Sequence, residues 1–364
     1  MAVITRTLKA EGGNYTLLST WESTEQTNLV SANDTHVLEC DAFTLSNNQA
    51  YIAGWTTNAT YFVTIKAAAG HEHNGISGAG FRLQKDLPAN DTAIRVIQDY
   101  TVIQDIEIEC IGSNSGTAAV SLEGIDTTLN RVIAIGTVNG GFAAKVVGNN
   151  DCNFYNCIFS KGTSTLSIPD SAGLVTIYNC TSDNASQYGF RRVGISGTDT
   201  IIRNCLALNS GVAGFDGNWD SSSSNNASSD TSTAGTANQV LIDDCDLIEG
   251  TYQPEGDALL ADAGTDLSGI FTVDIANTTR DGWDIGAVAA DTAGNIDILS
   301  VTPSSFGNGR SVVVNVDGLR TVDVELRLGG VVQTVTDCTN DTITFTADTS
   351  GLSLGANTIT AKEI

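Results

Sequence analysis

VTIYNCTS (175–182), with Gly189-Phe190 nine residues beyond its cysteine, decides the fold. Its core, Thr176-Ile177-Tyr178-Asn179-Cys180, alternates apolar and polar residues, is rich in β-branched side chains and leaves no room for a helix. The pattern recurs as TVIQDIEI (101–108), TTLNRVIA (127–134), CNFYNCIF (152–159), TIIRNCLA (200–207) and VLIDDCDL (240–247). Aligned on one anchor, these give Ile106, Val132, Cys157, Cys180, Cys205 and Cys245, spaced by 26, 25, 23, 25 and 40 residues. Gly-Phe follows Val132 (Gly141-Phe142) and Cys205 (Gly214-Phe215) at the same nine-residue offset. A period in the twenties built on short strands implies stacked coils, each burying its apolar face against the next.

Apolar residues at every second position point inward, and cysteine suits such an interior because it is small and behaves as an apolar residue. Asn156, Asn179 and Asn204 precede the anchor cysteines, where each amide is placed to bond its counterpart one coil away. Gly-Phe reads as a tight corner followed by an inward aromatic. Four of the eight cysteines repeat in register, so they are read as free packing residues. Cys152 and Cys157 are the one pair close enough in sequence to suggest a bridge.

These repeats resemble the parallel β-helix of the pectate-lyase-like superfamily over roughly residues 60–290. The resemblance implies an all-β fold, a right-handed parallel β-helix (solenoid), and says little of chemistry, since that architecture hosts lyases, hydrolases and inert fibres. The late anchor at Cys245 is attributed to a polar loop insertion at about 220–238, DSSSSNNASSDTSTAGTAN, which is too polar to bury a core.

Three regions are expected. Residues 1–60 form an N-terminal cap, with Ser19-Thr20-Trp21-Glu22 as a capping box ahead of a helix over about 20–28. Trp21, Phe43 and Trp55 are its packing residues, and early coils begin at 61–70 and at GFRL (80–83). Residues 61–292 form the β-helix. It closes at a stretch containing Asp284-Ile285-Gly286-Ala287, which resembles the last coil of bacterial and viral β-helix proteins, with Trp283 as a plug. Residues 293–364 hold short alternating strands that imply a C-terminal immunoglobulin-like β-sandwich. Their opening resembles IPT/TIG domains, with Pro303 and Gly307 shaping the first turn.

Charge narrows the function. With 42 acidic against 17 basic residues, net −25, the chain repels nucleic acid and anionic membranes, so no nucleic-acid partner and no membrane insertion are expected. Clustered carboxylates make Ca²⁺ the one cofactor the composition suggests. His71-Glu72-His73 places two imidazoles on one face if extended, but a metal needs a further ligand, and Asn74-Gly75 marks a turn. The N-terminal stretch MAVITRTLKAEGGNY has no apolar core of a signal peptide.

The best local constellation for chemistry is Gly214-Phe215-Asp216-Gly217-Asn218-Trp219-Asp220, where Asp216 and Asp220 are placed to flank a sugar and Trp219 to stack on it. No further catalytic signature accompanies it, and Asp at solenoid corners also makes turns. Two functions follow. One is a non-enzymatic virion component, a phage head-decoration, tail-fibre or spike protein on the virion surface. Its partners are other virion proteins, further copies of itself (a trimer above all) and host-surface glycan. The other is a depolymerase of host polysaccharide built on the same fold.

Overall fold

Each coil contributes three short strands, and each strand pairs in parallel with its counterpart one coil on. The structure, a computed structural model, describes residues 1–112, 114–137, 140–194, 199–235, 240–241, 252–253, 260–280 and 282–289, together with the backbone of six strands between 295 and 363. The first sheet has eight strands, from Ala2–Leu8 and Asp34–Cys40 through Thr127–Asn130 and Val175–Tyr178 to Thr200–Arg203. The second has nine, including Thr44–Ser46, Arg82–Asp86, Glu107–Ile111, Ile133–Ile135, Ile158–Ser160, Thr181–Asp183, Leu206–Leu208 and Ala227–Ser228. The third has seven, from Ala50–Ile52 to Tyr188–Arg192 and Ala213–Asp216. The chain is thus an all-β parallel solenoid.

The stack begins at residue 2, earlier than expected, since Ala2 pairs with Asp34 and Leu8 with Cys40. The helix is Leu18–Glu25, and the capping box is absent. Ser19 lies inside the helix and exchanges hydrogen bonds with Asn48, while Glu22 Oε1 accepts from the Ala53 amide and Gln26 Nε2. Both side chains find partners outside the proposed box. Trp21 is fully buried against Trp55, with ring centroids 5.7 Å apart.

Register defines the anchor column as Phe43, Phe81, Ile106, Val132, Cys157, Cys180 and Cys205, one residue ahead of paired second-sheet positions. GFRL therefore supplies an anchor, Phe81, and does not match the later Gly-Phe pairs. The residue before each later anchor is left-handed: Asp105, Arg131, Asn156, Asn179 and Asn204 all have φ between 51° and 59° or close below it, at 49° for Asn179. Asparagine tolerates that conformation best among non-glycine residues, which explains its recurrence.

The cysteines do more than fill space. Cys180 Sγ accepts the Cys157 amide and Cys205 Sγ accepts the Cys180 amide, each at 3.4 Å. Each thiol also lies within bonding distance of a carbonyl in the coil behind it: Leu129 for Cys157, Phe154 for Cys180, Ile177 for Cys205. All three are fully buried and unbridged, and Cys152 is likewise a free thiol. Burial pushes Cys152 up to about 12 and Cys157 and Cys180 well above the ordinary thiol value.

The Gly-Phe repeat keeps its register in two coils and shifts in a third. Phe190 and Phe215 stack in register, 5.4 Å apart, but Phe142 pairs with Ser164 and through it with Tyr188, two residues out of step. The connection from Ile135 to Phe142 is two residues longer than that from Asp183 to Tyr188, and Phe142 is only half-buried. Gly189 is required by close approach: a Cβ there would lie 2.5 Å from Gly214 O and 2.8 Å from Ser182 Oγ.

Residues 220–235 do not leave the stack as a loop. Ala227–Ser228 pairs with Leu206 and Ala207, and Ser223, Asn226 and Ala234 are buried. Short polar side chains work here because they bond the coil beneath: Asn226 Oδ1 accepts the Cys205 amide at 2.9 Å, and Nδ2 donates to Ile202 O. Asn226 is therefore the anchor after Cys205, and Cys245 lies outside the described residues.

Residues 260–280 and 282–289 run back along the outer face of the second sheet as a strap. Leu260 and Ile285 bury against Leu206, Leu208 and Ala227; Ile275 and Ala287 bury against Ile133, Ile135 and Ile158. The asparagine column holds it: Asn179 Nδ2 donates to Asp284 O and Gly286 O, Asn204 exchanges two bonds with Thr265, and Asn225 Nδ2 donates to Ala263 O. One like-to-like bond joins the column itself, Asn204 Nδ2 to Asn179 Oδ1 at 3.1 Å. The buried Arg280 donates to Asn156 Oδ1, Gly286 O and Ala287 O, and burial lowers its pKa. Trp283 is not a plug. It lies in the strap on the flank of the shaft, against Phe271, with the Arg280 guanidinium 5.9 Å from its ring centroid.

The six C-terminal strands, from Asn295–Thr302 to Ile359–Glu363, form two three-stranded antiparallel sheets. Pro303 and Gly307 lie outside the described residues. Among the described residues no helix is long and apolar enough to cross a membrane.

Candidate functional site

The 216–220 constellation sits where the third sheet ends, and its residues serve different elements. Asp216 closes the strand Ala213–Asp216 and pairs with Arg191 on the neighbouring strand, Nε to Oδ2 at 3.2 Å, while Arg191 lies 4.5 Å over the Tyr188 ring. Trp219 is half-buried and meets Phe215 edge-on, continuing the Phe190–Phe215 stack. Asp220 donates its amide to Thr200 O of the first sheet, and its Oδ1 accepts the Ser222 amide at 2.7 Å. Those bonds from Ser222 hold the Asp220 carboxyl below its ordinary value. A glycosidase acid needs the opposite shift, produced by burial or a neighbouring anion. Asp220 is thus set up as a turn residue, and Asp216 as half of an ion pair.

His71 and His73 are also engaged. His71 Nδ1 accepts the Ala42 amide at 2.8 Å. His73 is fully buried; its Nδ1 accepts the Gly75 amide, so Nε2 carries the proton and donates to Arg131 O, each at 2.9 Å. Burial lowers its pKa, and the neutral ring has no lone pair left for a metal. Its loop also delivers the Gly78 amide to Glu107, a fully buried carboxylate paired with Arg82.

A concave site does exist, on a face that the sequence did not single out. Between the 71–80 loop and Tyr252, the outer face of the second sheet opens into a cleft of about 280 Å³. The edges of Ile133, Ile135 and Ile158 that the strap leaves uncovered, Ile135 most of all, form its floor; Gly75, Ser77, Ser160, Lys161, Asp183, Asn184 and Tyr252 complete it. Asp183 is fixed from both sides, Oδ2 by Tyr252 Oη and Oδ1 by Asn209 Nδ2, each at 2.9 Å. Burial and the Asp183 charge raise the Tyr252 pKa, so the phenol remains a donor. Lys161 and Asn184 follow their strands in the left-handed conformation, φ 62° and 58°. The usable signal was the run Val132-Ile133-Ala134-Ile135, apolar at every position, which marks a strand covered on both faces.

No family model matches the chain. No curated protein matches it either. Among solved structures it is similar to Escherichia coli YbhC, at 12% identity and a TM-score of 0.39, covering 65% of this chain and 70% of that one. It is also similar to the Dettilon tailspike protein, at 10% identity and a TM-score of 0.38, covering 95% and 90%. Likenesses this distant carry no argument.

Proposed function

We propose that the protein is a non-enzymatic structural and adhesive component of a virus particle. It attaches through one end and displays the solenoid as a rigid shaft that touches host-surface glycan. In this reading the N-terminal segment caps the shaft, the C-terminal strands form an immunoglobulin-like module, and the protein works as a homo-oligomer, a trimer above all. The observation that carries the reading is the use made of the 216–220 residues: Asp216 faces Arg191, and Asp220 holds a turn with a lowered pKa. Elsewhere among the described residues, polar side chains such as Asn179, Asn204 and Asn226 hold neighbouring coils together.

The test pairs location with activity. Antibody labelling in electron microscopy is expected to mark virus particles, and sedimentation is expected to give a single oligomer. Incubation with acidic and neutral host polysaccharides is expected to release neither reducing ends nor unsaturated uronates. Release that Asp216→Asn or Asp220→Asn abolishes would establish the depolymerase instead.

A further inference from the structure

We infer that the cleft on the second sheet binds a single pyranose residue that carries a methyl group, with the methyl on the isoleucine floor and vicinal hydroxyls on Asp183. This deepens the glycan-contacting reading by naming a subsite and its ligand class.

The argument rests on how polarity changes along the stack. Ile135, Ser160 and Asp183 occupy the same outward position in three successive coils, and Ile133, Ile158 and Thr181 occupy the neighbouring one. Thr181 is fully buried, its hydroxyl accepting the Ala287 amide of the strap, so the open column is the first. With coils about 4.8 Å apart, it passes from Ile135 through Ser160 to the Asp183 carboxylate within about 10 Å. One sugar ring spans that distance; a polymer lying along the axis would outrun it. The floor is branched aliphatic and offers no aromatic plane beneath a ring, so it suits a methyl group better than a flat sugar face.

The polar end is built to receive hydroxyls. Each Asp183 oxygen already accepts one hydrogen bond, from Tyr252 or Asn209, which fixes the carboxylate plane and leaves each oxygen acceptor capacity. A carboxylate held in this way accepts two adjacent hydroxyls in charge-assisted bonds. Lys161, Asn184 and Ser160 add donors on the same side, and Ser77 stands at the opposite rim. A hydroxyl in place of the methyl would meet Ile135 and the uncovered edges of Ile133 and Ile158, and lose its hydrogen bond to water.

Saturation-transfer NMR on the full chain tests this with matched sugars: L-rhamnose against L-mannose, L-fucose against L-galactose, and N-acetylglucosamine against glucose. The first two pairs probe a ring methyl and the third an acetyl methyl. At least one methyl sugar is expected to bind, with strongest transfer at its methyl protons and about tenfold tighter than its partner. Asp183→Asn is expected to weaken that binding about tenfold. Ser77→Trp, a change on an exposed loop position that fills the rim, is expected to abolish it. The inference is overturned if no methyl sugar gives transfer. It is equally overturned if binding survives both variants, or if the hydroxylated partners bind as well. The readout uses isolated protein, so it stands or falls separately from location on a particle.

Discussion

Along the second sheet, one outward column runs from Thr44 through Arg82 and Glu107 and continues with Ile133, Ile158, Thr181 and Leu206. From Arg82 on, both parts are covered, but by different partners. The early part meets the 71–80 loop, whose Gly78 amide donates to the buried Glu107, itself ion-paired with Arg82. The later part meets the strap, whose Leu260, Ile275 and Ile285 are at most 2% exposed. Each of those three contributes about 1.5–3 kcal/mol by leaving water. An outward position on a solenoid therefore takes its chemistry from the segment laid over it.

The most damaging way to break this contrast is to give the later part the charge of the early one. Leu206→Asp places an unpaired carboxylate against Leu260 and Ile285 and should cost about 3–5 kcal/mol, seen as a lower urea midpoint. Next comes the polar seam. Asn179→Ala removes both bonds to the strap carbonyls and puts alanine at positive φ, a loss of about 2–3 kcal/mol by the same measurement. Cys180→Ala strips an acceptor from the Cys157 amide and leaves a small void, costing about 1–2 kcal/mol.

The smallest effect is a pH dependence from the early half. His73 is buried neutral, with a pKa below the ordinary histidine value of about 6.5. Above that value neither state is protonated there, and the stability contribution is whole. As pH falls, the unfolded chain binds the proton first, so stability is lost until the folded pKa is passed. His73→Gln should flatten the fall in urea midpoint between about pH 7.5 and 5.5. His36, also depressed by burial, keeps the remaining slope. An unchanged slope in the variant would remove His73 from the early half's polar cover.

The stack was legible because its interior repeats: Ile106, Val132 and the three cysteines fall on one column at the spacing read from the chain. Legibility ended where polar side chains replace apolar ones at equal cost. Asn226 does the hydrogen bonding of a cysteine, so a segment dominated by Ser and Asn looked like a loop. The capping box failed because local spacing does not know about Asn48 and Ala53. The cleft was hidden because its floor, rim and Tyr252 come from separate coils, and only folding brings them to one face.

The thiol column has a direction. Each sulfur accepts from, and reaches a carbonyl of, the coil before it, so every coil is completed by its successor. In the language of polymer growth, cysteine is the propagating unit and could recur for as many periods as the gene supplies. Asn226 changes the rule: one amide hydrogen goes back to Ile202 O, and the other turns into its own coil, to Ala234 O. That amide ties its own coil as well as the one behind it, and the second sheet still adds Val240–Leu241 beyond it.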